Sequence, residues 1–193
     1  LVQRAFWFGK LPAACTETIL CLIPKTDGSG KMRGIGLMET LWKLITGIIN
    51  SRLTLSISLH DSIHSFRAGR GTGTAILDTK LLMQLQQRSS TPLYQIFLDI
   101  SKAYDHLDRT RTLDILKSYG VGTRTIKILR LLWDDHTVVP KQAGVFGEPF
   151  KAQRGLTQGD IISPMIFNVI VDAIIREWRH KLILTLDDLL NNK

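Results

Sequence analysis

The order of elements along this chain predicts an α+β fold. Three observations carry the prediction. The first ninety residues hold one strand candidate and two helical stripes. From residue 91 on, the order is β-α-α-β-β-α. Nowhere do strands and helices alternate as a doubly wound sheet would require. A small antiparallel sheet backed by helices is the expected architecture.

Each element has a local reason. Thr18 to Ile23 is a strand candidate ended by Pro24, and Thr26 to Lys31 reads as a hairpin turn. From Glu39 to Leu53 the apolar residues fall at 41, 42, 44, 45, 48, 49 and 53, a helical stripe. His60 to Gly73 is a polar, glycine-bearing loop. Thr74 to Gln87 is a second helix, with Ile76, Leu77, Leu81, Leu82 and Leu85 on or near one face. Leu93 to Leu98 is an apolar run that reads as a buried strand, with Asp99 at its C-terminal end. Asp108 to Tyr119 is a helix with Asp108 as its N-cap and Gly120 just past its end. Thr123 to Trp133 is another, capped by Thr123. Thr137 to Val145 and Pro149 to Gln153 suggest a hairpin around Gly147. Ser163 and Pro164 open the last helix, which should run to about Arg179.

Composition narrows the class. With 193 residues and 44% apolar side chains, the chain can bury one good core or two small subdomains. Its net charge is +8 and its pI is about 9.7, which favours a polyanionic partner. Residues 1–90 hold 11 Lys/Arg against 5 Asp/Glu, whereas residues 91–193 hold 14 against 12. The first half therefore reads as the phosphate-facing surface, and the second concentrates the carboxylates. Cys15 and Cys21 match no zinc or redox spacing and read as thiols of a reducing compartment. The apolar stretch Ile161 to Ile175 is interrupted by Pro164, Asn168 and Asp172, too polar to span a bilayer. No signal-peptide pattern opens the chain, so an intracellular site, cytoplasm or nucleus, is expected.

Two blocks carry the chemistry. Phe97-Leu98-Asp99-Ile100-Ser101-Lys102-Ala103-Tyr104-Asp105 sets a carboxylate after an apolar run, then an aromatic and a second carboxylate. A carboxylate at a strand end can hold Mg²⁺ without being buried unpaired. The second block runs from Gln153 to Asn168 and contains Gln158-Gly159-Asp160-Ile161-Ile162-Ser163-Pro164. A Gln offers both a donor and an acceptor, and a Gly lets the backbone come close to a ligand.

Together these blocks resemble the first and second palm motifs of reverse transcriptases, above all those of non-LTR retrotransposons and group II introns. Upstream, Leu22 to Lys25, Met32 to Leu37, Asn50 to Leu53 and Ser65 to Arg70 resemble the fingers blocks of that family. The resemblance covers about Leu11 to Trp178. It implies a fingers-plus-palm fragment of a right-hand polymerase, fingers-like over 1–90 and palm-like over 91–193, truncated after the second palm motif. The missing thumb and further modules would belong to a larger parent polyprotein.

The implied activity is RNA-directed DNA synthesis by two-metal nucleotidyl transfer, with Mg²⁺ or Mn²⁺ as cofactor. The implied partners are an RNA template, a primer 3′ end and dNTPs. Asp99 would be a catalytic, metal-binding carboxylate. Tyr104 would lie under the nucleotide sugar and exclude a 2′-hydroxyl, while Asp105 would be a structural carboxylate. Gln158 and Gly159 would line the nucleotide pocket, and Lys25 and Arg33 would hold the triphosphate. Gly34 departs from the family's Pro after that Arg. Arg52, Arg67 and Arg70 would contact template or primer phosphates.

The family's third motif, aromatic-x-Asp-Asp, has one degenerate counterpart here, Asp187-Asp188, with Thr185 in place of the aromatic. If catalytic, that pair requires a strand over Leu182 to Leu186. A continuation of the preceding helix is the expected outcome, and it would leave the chain unable to polymerise. A non-catalytic RNA-binding remnant and an RNA-dependent RNA polymerase remain the alternatives. Tyr104 argues against the second.

Overall fold

The computed structural model of the chain describes residues 11–12, 15–24, 26, 30–90 and 92–191, with side chains as far as Ile183 in the last helix. It forms two compact units that interleave in sequence. The first joins Leu1–Ser58 to Lys102–Ile170, and the second joins Leu59–Ser101 to Val171–Lys193.

The first unit is built on a sheet. β1 (Glu17–Pro24) and β2 (Met32–Met38) form an antiparallel hairpin, with Cys21 opposite Ile35. β3 (Thr137–Gln142) lies against the other edge of β1, with Ile19 opposite Val139. This pairing is parallel, so the sheet is mixed and not wholly antiparallel. A parallel neighbour needs a long crossover, and the described chain between β1 and β3 holds β2 and four helices. β4 (Val145–Phe146) and β5 (Phe150–Lys151) both pair antiparallel with β3, at different positions along it. The hairpin turn falls at Ala143–Gly144, not at Gly147, whose N–H donates to the Pro140 carbonyl (2.8 Å).

The helices follow their apolar spacing. In α1 (Thr40–Ser56), Trp42, Ile45, Ile49 and Leu53 form one buried stripe. α2 (Thr72–Ser89) belongs to the second unit and buries none of its residues, so its apolar face is exposed. α3 (Arg109–Ser118) starts at Asp108, whose carboxylate accepts the Arg111 N–H at 2.8 Å. α4 (Thr123–Asp134) is capped by Gly122 and not by Thr123, because the Gly122 carbonyl already accepts the Ile126 N–H. Ile126, Leu129, Leu132 and Trp133 are its buried face. α5 (Ser163–Asn191) is one helix well beyond Arg179. No helix among the described residues is long and apolar enough to cross a membrane.

One expected element is absent. Residues 92–100 form no strand and are exposed throughout, with Phe97 at 86% and Leu98 at 88%. A strand needs a neighbour to take its backbone N–H and C=O groups. Among the described residues no segment pairs with this run, so its apolar side chains gain nothing from extended geometry. Asp99 consequently does not close a strand.

The second unit carries its own buried carboxylate. Asp172 on α5 is fully buried and accepts the His60 N–H and the Arg176 Nε–H, each at 2.5 Å. Arg67 donates to the carbonyls of His60 (2.9 Å) and Ile63 (3.1 Å), and so shapes the 59–71 loop from within.

A polar knot joins the elements of the first unit. The Arg109 guanidinium at the start of α3 donates to the carbonyls of Gly155 (3.0 Å), Trp133 (2.8 Å) and Ala152, and to Nδ1 of His136 (3.1 Å). Arg cannot accept, so Nδ1 of His136 is the acceptor, and Nε2–H donates to the Thr18 hydroxyl at 2.9 Å. His136 is thus neutral, and burial beside the Arg109 cation holds its pKa down to about 4. The unfolded value near 6.5 is higher. Between those values the unfolded chain binds more protons, so His136 stabilises the fold fully above pH 6.5 and loses that contribution as pH falls towards 4. The full swing is at most ~3 kcal/mol. The buried Asp160, whose pKa is raised by burial, acts in the opposite direction in acid. We expect His136→Gln, which can keep both hydrogen bonds, to remove the His136 part of the acid slope. Urea midpoints of the two proteins at pH 7 and pH 5 check this: the wild type should lose more stability than the variant.

Candidate active site

The two blocks singled out in the sequence meet in the first unit through their backbones. Residues 102–106 form a turn, with Lys102 C=O accepting the Asp105 N–H at 2.9 Å. Tyr104 C=O then accepts the Leu156 N–H (2.9 Å), and Leu107 C=O accepts the Gly155 N–H (2.8 Å). The approach is so close that a Cβ on Gly155 would stand 2.9 Å from the Tyr104 oxygen and 3.0 Å from the Asp105 Cα, and φ there is +82°. Only glycine fits.

Tyr104 is half-buried, and its ring stacks on Phe167 at 5.1 Å between centroids. Burial raises its pKa, so the hydroxyl stays protonated. Asp105 is exposed and lines an open cleft of ≈330 Å³. Leu20, Leu22 and Val138 give that cleft an apolar wall from the sheet, and Arg154, Gln158 and Arg109 add polar groups.

Gln158 lies in a turn held to β2. Its carbonyl accepts the Gly36 N–H at 2.8 Å. Gly159 follows at φ +110°, with a Cβ there only 2.7 Å from the Gly36 oxygen. The close approach that Gly159 permits is to β2, and this packing by itself accounts for the glycine.

Beyond the turn stands Asp160, a residue that sequence reasoning passed over. It is 5% exposed, and Oδ2 accepts the indole N–H of Trp42 at 2.7 Å. Burial is the largest influence on its carboxyl and raises the pKa, while the Trp42, Thr46 and backbone hydrogen bonds oppose it. Ser163 Oγ–H donates back to Thr157 C=O at 2.9 Å, closing the turn onto the start of α5. The Trp42 ring also lies 5.0 Å from that of His136. Thr18, Trp42 and Asp160 back the cleft that Arg109 and His136 help to line. The only sequence signal for any of them was Asp160 beside Gln158-Gly159.

The remaining predicted residues fall as follows. Arg33 is exposed on β2, opposite Ile23, and Lys25 lies outside the described residues. Arg52 is exposed on α1. In the second unit, Arg67 is bonded to loop carbonyls, and Arg70 pairs with Asp61 at 2.7 Å. Asp99 is exposed in the irregular 92–100 segment. Asp187 and Asp188 lie within α5, so Leu182 to Leu186 is helix and not strand. Among the described residues no three His, Cys, Asp or Glu side chains gather as a metal site.

Comparison with known proteins places this geometry in a family. Residues 23–191 match the family described as reverse transcriptase (RNA-dependent DNA polymerase). The Pol polyprotein of the type-2 retrotransposable element R2DM of Drosophila melanogaster is 26% identical over 179 residues, 91% of this chain and 17% of that protein. The Pol polyprotein of the type-1 element R2 of Popillia japonica is 27% identical over 180 residues, 90% of this chain and 25% of that protein. The chain therefore spans a quarter or less of the length of these two relatives. Among solved structures, apo telomerase of Candida tropicalis, truncated from its C-terminal domain, shares the fold, with a TM-score of 0.58 at 16% identity over 84% of this chain and 39% of that one. The chain belongs to the reverse transcriptase (RNA-dependent DNA polymerase) family.

Proposed function

We propose that this chain serves template-directed DNA synthesis from RNA, in which a primer 3′-hydroxyl attacks the α-phosphate of a bound dNTP. The observation that carries the reading is the backbone joining of the 102–106 turn to the chain before Gln158, which brings Asp105 and Gln158 to one cleft. The family match agrees with it. In this reading Gln158 and Gly159 line the nucleotide pocket, Tyr104 lies under the sugar, and Lys25 and Arg33 meet the triphosphate. A point cation and a planar fork are the two side-chain forms suited to phosphate oxygens. Arg52 and Arg70 face template or primer phosphates. An RNA template places this work inside the cell.

Asp99, with Asp187 and Asp188, is our assignment for the carboxylates of a divalent cation, Mg²⁺ or Mn²⁺, which would activate the attacking oxygen when bound. This arrangement does not fit a two-metal centre: Asp99 sits in an irregular exposed segment and the Asp187–Asp188 pair is helical. This favours substrate binding without turnover as the behaviour of the chain by itself.

Three outcomes test the proposal. Isothermal titration with dATP and ATP, on primed RNA template with Mg²⁺, should show a preference for dATP. Gln158→Ala should weaken dATP binding about tenfold, the loss of one to two buried hydrogen bonds, and Tyr104→Val should narrow the preference over ATP. Equal binding of both nucleotides by the wild type would overturn the assignment. Primer extension with dNTPs should give no product from this chain, and turnover that disappears in Asp187→Ala would instead place that pair in catalysis. RNA binding should weaken with salt. Arg52→Ala should flatten the log–log slope by roughly 0.7–0.9, whereas Arg67→Ala should lower the melting temperature, because its donors hold the loop.

A further inference from the structure

We propose that Asp160 and Trp42 are positioning residues, whose buried hydrogen bond fixes the Thr157–Ile162 turn so that Gln158 presents its amide to the nucleotide. This rests on the reading of Gln158 as a nucleotide-pocket residue.

The geometry of the turn leads to it. Three contacts hold its first half: the Gly36 N–H on the Gln158 carbonyl (2.8 Å), and the Ser163 hydroxyl (2.9 Å) and the Asp160 N–H (3.2 Å) on the Thr157 carbonyl. Of these only the Asp160 N–H spans the chain that leaves Gln158, and at 3.2 Å it is the longest of the three. Gly159 follows, and glycine does not restrict its own dihedrals. The next anchor is the Asp160 side chain, tied to α1 by Trp42 at 2.7 Å. Gln158 is therefore held between a backbone contact on one side and a side-chain contact two residues on. The Gln158 side chain remains exposed on the cleft.

The chemistry of the anchor is also unusual for a purely structural contact. A carboxylate that is 5% exposed, with a neutral indole as its long-range donor, loses solvation that an apolar residue of similar size would not. The raised pKa of Asp160 reflects that cost. What an apolar residue would not supply is a directional acceptor facing a fully buried Trp42. Orientation of the turn is the property that the hydrogen bond adds.

The test separates this contact from the fold. Asp160→Asn keeps an acceptor for the indole and removes the buried charge. Adding Trp42→Phe to it removes the donor while keeping an aromatic ring and leaving no charge unpaired. Binding of dATP with Mg²⁺ on primed RNA template is measured by isothermal titration. Asp160→Asn should bind within about twofold of wild type, and the double variant at least about fivefold more weakly. On a Gln158→Ala background the same change should have no further effect, because the contact acts through that side chain. A double variant that binds like Asp160→Asn, or a loss undiminished on the Gln158→Ala background, overturns the proposal. Should the double variant not fold, Asp160→Glu moves the carboxylate by one methylene and must weaken dATP binding; wild-type affinity there overturns the proposal equally. Failure of the wild type to bind dATP, or a Gln158→Ala protein that binds normally, instead refutes the nucleotide-pocket reading, and the positioning role falls with it.

Discussion

The Arg109 guanidinium is the interaction on which the first unit depends. Its donors reach the end of α4, the strand-side residue His136 and the chain that leads into the Gln158 turn. Only Arg could do this, because a planar fork with five donors can face several carbonyls at once. Desolvation lowers its pKa to about 10, still far above neutrality, so the cation persists where it is half-buried. Burial, together with this neighbouring charge, keeps His136 neutral, and its Nε2–H donates to Thr18 on β1. One side chain therefore helps to hold its neighbour neutral and ties three separate carbonyls together. Lys at this position would offer one point charge to the same acceptors and could not hold them together.

From that support the residues proposed to meet the nucleotide are placed by backbone contacts. Tyr104 and Gln158 are far apart in sequence, and neither touches the other through a named side-chain bond. Their turns meet, with Asp105 and Gln158 on one cleft, because Gly155 allows the chain to pass against Tyr104 and Asp105, and because Gly159 allows it to pass against Gly36. Such contacts are short and leave no room for a Cβ, so they tolerate little movement.

Much of this was legible in the sequence, and the exceptions have physical causes. Local signals held: the Asp108 cap, the α1 stripe and the Ser163 start of α5 are where spacing and capping put them. The parallel β1–β3 pairing was not legible, since nothing in either strand's sequence names its neighbour. Asp160, Trp42, Arg109 and His136 escaped notice for the same reason. Each is an ordinary residue type until the fold brings a partner more than twenty positions away, as with Trp42 and Asp160. Arg67 was legible as a cation but not as a loop brace, because its acceptors are backbone carbonyls that no sequence pattern marks.

The contrast between the cleft and Asp99 is the remaining step. Gln158 and Tyr104 are fixed by hydrogen bonds to chain within their own unit, whereas the apolar run before Asp99 finds no ladder among the described residues. An apolar sequence favours burial but does not choose a partner, and extended backbone is stable only when its polar groups are paired. The helix over Leu182 to Leu186 illustrates the same rule from the other side. Leu, Ile and Leu in a row suit either state, and a helix satisfies its backbone internally where a strand cannot. The binding half of the proposed chemistry is thus built from contacts local to one unit. The carboxylate half depends on pairing that an isolated apolar segment cannot supply for itself.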